Sequence, residues 1–233
     1  MTIHYKISDG IGQITLDRPE KAHAYDAAHL TQLSDAFSSL SEACSVIVIQ
    51  SSGEGVFCAG ADLDEMKDAT PEDAANLRSQ AIFTKIARAN VVTIAVIHGA
   101  AVAGGFELAL SCDLRVAGRN AFFKLPETSL GIIPAAGGTT RLTTLLGSSV
   151  AKSVILAGQD INAESAIRWG LAIDGGDKPF DTAMKLAERV RDRDPIAQQK
   201  AKRLIDTVAE DAHLSAERAI QSELYARKNS KQS

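Results

Sequence analysis

The residues best placed for chemistry are two carboxylates and two loops of small residues. Glu107 sits inside the otherwise apolar stretch Phe106–Leu110, where an unpaired carboxylate is costly. It follows Gly104 by three residues, one helical turn. Glu127 follows Pro126, after the strand-like run Ala121–Leu125. A carboxyl group so placed can act as an acid or base, or it can make a structural hydrogen bond; spacing leaves both readings open. The loops are Gly55–Glu65 and His98–Leu110, each running from strand to helix. Small residues let the backbone approach a ligand closely. A helix start adds unpaired N–H groups and a dipole that favours negative charge. Two such loops converging could hold one developing oxyanion, an arrangement worth about 3–4 kcal/mol per donor in a transition state. Taken singly, each loop also fits a tight packing turn. Neither matches GxGxxG, and Gly147–Ser153 lacks the second glycine of a phosphate loop, which argues against a nucleotide site.

Elements must bring these groups together. Ile3–Ile7 and Ile11–Leu16 read as strands joined by a Ser-Asp-Gly turn, a hairpin signal. Leu30, Leu33 and Phe37 fall on one face of a helix from about Asp26 to Leu40. Val46–Gln50, Val91–Ile97 and Asp113–Ala117 are β-branched or apolar runs suited to buried strands. Helical sequence is expected near Leu63, over Asp73–Ala89 and over Phe106–Cys112, then over Thr139–Leu146, Ser149–Leu156, Asn162–Trp169, Phe180–Arg191 and Pro195–Arg227, the last breaking near Ala212–Leu214. The βα alternation predicts a layered α/β fold, with a core over residues 1–175 and a helical region over 176–233. In the tail, Met184, Leu186, Val190, Leu204, Ile205 and Val208 serve either the core or an oligomer contact.

Composition narrows the classes. The 233 residues are 45% hydrophobic and 23% charged, with a net charge of −4, ordinary for a globular chain and without the basic field of a nucleic-acid or membrane binder. Cys44, Cys58 and Cys112 show no CxxC spacing and suit a reducing compartment. No basic and apolar leader opens the sequence, and Val91–Ile97 is far too short to span a bilayer. The expected location is cytoplasmic. The five histidines lack metal-ligand spacing, so no metal is expected.

Four blocks in order carry a resemblance. Leu16–Ala24, Phe57–Met66, Gly104–Leu114 and Leu125–Leu142 resemble the successive motifs of the enoyl-CoA hydratase/isomerase, or crotonase, family, over about residues 10–175. The resemblance implies a crotonase-like spiral of repeated ββα units, with a helical C-terminal region that forms a homotrimer or a dimer of trimers. It implies that the amides of Ala61 and Gly104 bind the carbonyl of an acyl-CoA thioester substrate. Coenzyme A would lie along Lys21, Ala22 and Ala24 and along Ala59, Ala61, Asp62, Leu63 and Asp64, as part of the substrate; no tightly bound cofactor is implied. Glu107 and Glu127 fall on the two glutamates of the hydratases. Glu107 is then assigned to activating water at C3 and Glu127 to supplying the C2 proton, although the roles are exchangeable. The alternatives are Δ3,Δ2-enoyl-CoA isomerisation, which uses the position of Glu127 alone, and acyl-CoA binding without catalysis. Departures from the family pattern are His23 in place of the usual Asn, read as a loop-stabilising donor, and Ala135 in place of glycine. The sequence also stops before the family's usual last helix.

Overall fold

The structure is a computed structural model that describes residues 2–53, 55–67 and 70–206, together with 218, 219, 222 and 226. β1 (Thr2–Ser8) and β2 (Ile11–Asp17) form the expected hairpin. Its turn places Asp9 and Gly10 at φ 50° and 74°, the left-handed pair that matches strand twist. A short 3₁₀ turn at Pro19–Lys21 leads to α1 (Ala27–Ala43). The Asp26 carboxylate caps α1 by accepting from the N–H groups of Ala28 and His29.

The chain then winds through three similar turns. The first is β3 (Val46–Ser51) and β4 (Val56–Cys58), followed by α2 (Leu63–Met66), α3 (Pro71–Ala75) and α4 (Arg78–Ala87). The second is β5 (Val92–Ile97), β6 (Ala100–Val102) and α5 (Gly104–Ser111). The third is β7 (Leu114–Gly118), β8 (Phe122–Lys124), a 3₁₀ turn at Glu127–Leu130 and α6 (Gly138–Ala157). β9 (Ile161–Asn162), α7 (Ala163–Arg168), β10 (Ile173–Gly176), α8 (Pro179–Arg191) and α9 (Pro195–Asp206) complete the described elements.

In every turn the first strand joins one sheet and the second joins another. The larger sheet has the order β1-β2-β3-β5-β7-β10 and the smaller β4-β6-β8-β9. The turns stack in parallel register, β3 on β5 on β7 and β4 on β6 on β8, so successive loops rise above one another on one side of the spiral.

Side chains alternate across the large sheet with a period of two. Ile47, Ile49, Ala95 and Ile97 enter the main core. Val46, Val48, Ile94, Val96 and Val116 face the other way, against Ala183 and Ala187 of α8. Both faces being covered explains why these strands read as unbroken apolar runs. Met184, Leu186 and Val190 pack on this same cluster, so these three tail residues serve their own core. The boundary at 175 falls within β10, and α8 closes the sheet of the unit before it.

Two helical expectations change in detail. Asp73–Ala89 divides at Asn76 and Leu77, which lie between the end of α3 and the start of α4. Thr139–Leu146 and Ser149–Leu156 become one element, α6, bent at Gly147 with φ 79°. Val208 and the expected break at Ala212–Leu214 lie outside the described residues, whereas Leu204 and Ile205 are exposed.

Candidate active site

The first loop is held against the segment after β2. The Ala59 N–H donates to the Ala22 carbonyl at 3.0 Å, and the Cys58 thiol to the His23 carbonyl at 3.2 Å. The Tyr25 N–H then donates to the Gly60 carbonyl at 2.8 Å, and the Asp62 N–H to the Tyr25 carbonyl at 2.7 Å. Ala61 lies between these two bonds. Arg18 ties the parts together, with one guanidinium nitrogen 2.8 Å from the Asp62 carboxylate and another donating to the Ala24 carbonyl at 3.0 Å. Asp62 also caps α2 through the Asp64 N–H; this bond, with Lys21 and Arg18 nearby, holds its carboxyl below the usual range.

The second loop reaches the same place from the next turn of the spiral. Ala103 adopts φ 51° and ψ −128°, a region that costs a non-glycine residue of order 1–3 kcal/mol. Its N–H is fixed on the Lys124 carbonyl at 2.9 Å. α5 starts at Gly104, whose N–H therefore has no carbonyl behind it within the helix. The loops touch: a Cβ built on Gly60 would stand 3.0 Å from the Gly104 nitrogen, and one on Gly105 only 2.0 Å from the Cys58 carbonyl oxygen. Glycine at 105 is what lets α5 lie directly on β4. Among the described residues, the N–H groups of Ala61 and Gly104 have no acceptor. Two unpaired amides from two abutting loops could serve one anionic oxygen.

Both carboxylates belong to this place. A cavity of about 930 Å³ is lined by Ala61, Gly104, Glu107 and Glu127 together. Glu107 is buried on α5, and its Oε1 accepts the Gly138 N–H at 2.8 Å, so the start of α6 fixes the carboxylate. Glu127 is also buried, and its Oε2 has no partner among the described residues. Burial pushes its carboxyl from 4.5 up to about 7. A buried carboxyl oxygen without a protein partner, titrating near neutrality, suits proton transfer to or from a bound molecule. The phenol of Tyr25 stands nearby. Burial pushes it well above the usual range, assisted by the charges of Glu107 and Glu127.

The residues expected to lie along coenzyme A line this cavity too, namely Lys21, Ala24, Ala59, Asp62, Leu63 and Asp64. Ala22 is the exception among the described lining residues; its carbonyl instead anchors Ala59. Lys21 already has partners, its Nζ lying 2.7 Å from Asp64 and 3.7 Å from Asp62. His23 is buried and stabilises its loop, but as an acceptor: Nδ1 takes the Arg18 N–H at 3.1 Å. Burial lowers its pKa and keeps the ring neutral at pH 7. Ala135 lines the cavity, and its carbonyl accepts from the Gln80 side chain at 2.6 Å. Its φ is not positive, so alanine fits there without strain. Tyr25, Gly138, Arg18 and Gln80 are contributors that the sequence reading did not single out. Arg18 and Gly138 lie inside the first and last of the four blocks and Tyr25 directly follows the first, whereas Gln80 carries no such signal.

The arrangement brings two buried carboxylates and the amides of two abutting loops to one cavity of a ββα spiral. The sequence profile described as enoyl-CoA hydratase/isomerase matches residues 6–233, and the chain belongs to that family. It is 41% identical over 204 residues to the probable enoyl-CoA hydratase 2, mitochondrial, of Arabidopsis thaliana, covering 84% of this chain and 67% of that protein. It is 37% identical to the 2,3-dehydroadipyl-CoA hydratase of Escherichia coli K12, covering 89% of this chain and 84% of that one. Among solved structures, the enoyl-CoA hydratase of Bacillus anthracis superposes with a TM-score of 0.84 at 30% identity, covering 98% of this chain and 92% of that one. The fold is therefore the crotonase spiral that the sequence blocks imply. No helix among the described residues is long and apolar enough to cross a membrane.

Proposed function

We propose that the protein is a 2-enoyl-CoA hydratase, adding water across the C2=C3 double bond of an acyl-CoA thioester. The observation that carries the reading is the presence of both Glu107 and Glu127 on the cavity that holds the Ala61 and Gly104 amides. The two amides donate to the thioester oxygen and stabilise the charge that builds there as C3 is attacked. Glu107, oriented by Gly138, takes a proton from water as its oxygen bonds to C3. Glu127, neutral over much of the working range, gives its proton to C2. The protein ends the cycle with one proton gained at Glu107 and one lost at Glu127, and exchange with solvent restores it. Coenzyme A enters as part of the substrate, along the Lys21–Ala24 and Ala59–Asp64 segments, and no tightly bound cofactor is needed. A homotrimer or dimer of trimers and a cytoplasmic location complete the proposal. The location draws support from the cysteines, all three of which are free, although the Arabidopsis relative is mitochondrial by name.

A second reading, Δ3,Δ2-isomerisation, is favoured by one feature: an unpartnered, near-neutral Glu127 would by itself move a proton between carbons. Crotonyl-CoA hydration, followed as loss of the enoyl-thioester absorbance, separates the two. Glu107→Gln should lower hydration by at least about 100-fold, the usual scale for an acid–base group. If it leaves turnover of a 3-enoyl thioester intact while no hydration occurs in wild type, isomerisation is the activity.

A further inference from the structure

The hydration scheme leaves Tyr25 unused, yet this residue touches both halves of the anion hole. Its main chain brackets Ala61, donating to Gly60 and accepting from Asp62, within a short parallel bridge. Its side chain lies on Gly104: a Cβ at that glycine would stand 1.9 Å from the phenol oxygen and 2.8 Å from Cζ. From behind, α4 holds the ring. The Ser79 side chain stands close enough to the hydroxyl to lower its pKa against the effect of burial, and Phe83 meets the ring edge-on with centroids 5.8 Å apart. Tyr25 is buried and lines the same cavity as the glutamates.

The neighbourhood of Gly104 requires such support. The preceding residue, Ala103, is held at positive φ, so the peptide that presents the Gly104 N–H is one the chain would not keep unaided. Donors stabilise an oxyanion only if they are fixed beforehand, and a misplacement of about 1 Å costs on the order of 100-fold in rate.

We propose that Tyr25 is a positioning residue of the anion hole, a spacer clamped by Ser79 and Phe83 that sets the Gly104 amide at its distance from the Ala61 amide. The inference rests on the two amides binding a thioester carbonyl, whichever reaction follows.

The test uses cinnamoyl-CoA, whose conjugated thioester absorbs at longer wavelength when its carbonyl is polarised, read by rapid mixing before turnover. Wild type should show the red shift. Tyr25→Ala should lose most of it and about 100-fold in kcat, with KM within about threefold. Tyr25→Phe keeps the ring but loses the hydroxyl that faces Ser79. It and Ser79→Ala should each lose a few-fold in kcat, and the double variant no more than either alone. That pair decides the matter if Tyr25→Ala does not fold. Variants that keep the full red shift and kcat while only melting earlier would reduce Tyr25 to packing and overturn the inference. So would wild type that binds cinnamoyl-CoA with no red shift. Wild type that shows the red shift but hydrates nothing refutes the hydratase reading alone, and the red shifts of the variants then decide the role of Tyr25.

Discussion

In the proposed reaction Glu127 couples chemistry to stability, because one cause, burial, bears on both. The folded protein keeps this proton up to about pH 7, whereas the carboxyl's ordinary value is 4.5. Between those values the folded state binds more protons than the unfolded state, so this group makes stability fall as pH rises, with no further change above about 7. The difference is on the order of 3 kcal/mol. Glu127→Gln stays neutral and should remove that part of the slope, making the variant more stable than wild type at pH 8; urea unfolding at pH 5 and pH 8 measures it. In the proposed reaction the same titration should govern rate. If Glu127 gives the proton to C2, kcat/KM for hydration should decline above about pH 7 with a limb that Glu127→Gln abolishes along with activity. A limb of opposite sense, with loss below pH 7, would make Glu127 the base and exchange its role with that of Glu107.

α5 shows how an element transmits such positions. Its N-terminus presents Gly104, its first turn presents Glu107, and its far end is tied down by Arg115. The buried Arg115 guanidinium donates to the carbonyls of Cys112 at 2.6 Å, Leu171 at 2.7 Å and Ala109 at 3.3 Å. Such a helix can move only as a body. Gly105→Ala would place a methyl 2.0 Å from the Cys58 carbonyl oxygen, which is backbone and cannot swing aside. The variant should lose about 1–3 kcal/mol of stability and at least about 10-fold in kcat, measured by thermal denaturation and hydration rate. Gly55→Ala, with open space around it, is the control. Lower stability with unchanged kcat would mean that the α5–β4 contact does not set the amides. The sequence displays the residues of this contact plainly, because close approach demands glycine and a buried carboxylate stands out in an apolar run. It hides most of the short strands. β4 and β6 have three residues each and β9 has two, too few for any period, and they exist because each turn pairs with the one beneath; β8 alone among the short strands shows in the sequence, within the strand-like run Ala121–Leu125. β10 is likewise concealed, since its Asp174 and Gly176 look like loop and only its register on β7 makes it a strand. The roles of Tyr25 and Gly138 are concealed for a related reason: their partners stand 79 and 31 residues away in the chain, at Gly104 and Glu107.

At the scale of the molecule, the candidate site draws on three turns of one spiral. Ala61 comes from the first, Gly104 and Glu107 from the second, and Glu127 from the third, so anything that lets the turns slide should affect stability before chemistry. Lys202 on α9 is placed to prevent sliding. Its ammonium donates to the Val91 carbonyl at 3.0 Å, just before β5, and to the Asp113 carboxylate at 2.8 Å, just before β7. It thereby joins the entries to the second and third turns. Asp113 also accepts from the N–H and hydroxyl of Thr93, so removing the lysine leaves the carboxylate partly satisfied. Breaking a fully buried pair costs about 3–5 kcal/mol; with side chains 10% and 21% exposed, about 1–3 kcal/mol is expected for Lys202→Met. At this chain length each kcal/mol lowers Tm by roughly 2–4 °C. Lys200→Met, on the exposed side of the same helix, should leave Tm unchanged. The cavity lies elsewhere, and Lys202 is not among its described lining residues, so kcat at 25 °C should match wild type in both variants. A Tm equal to wild type would show that the pair contributes no net stability. A fall in kcat at unchanged Tm would show instead that α9 reaches the site through the stacked turns, and that the outer helices help to set the spacing of the inner loops.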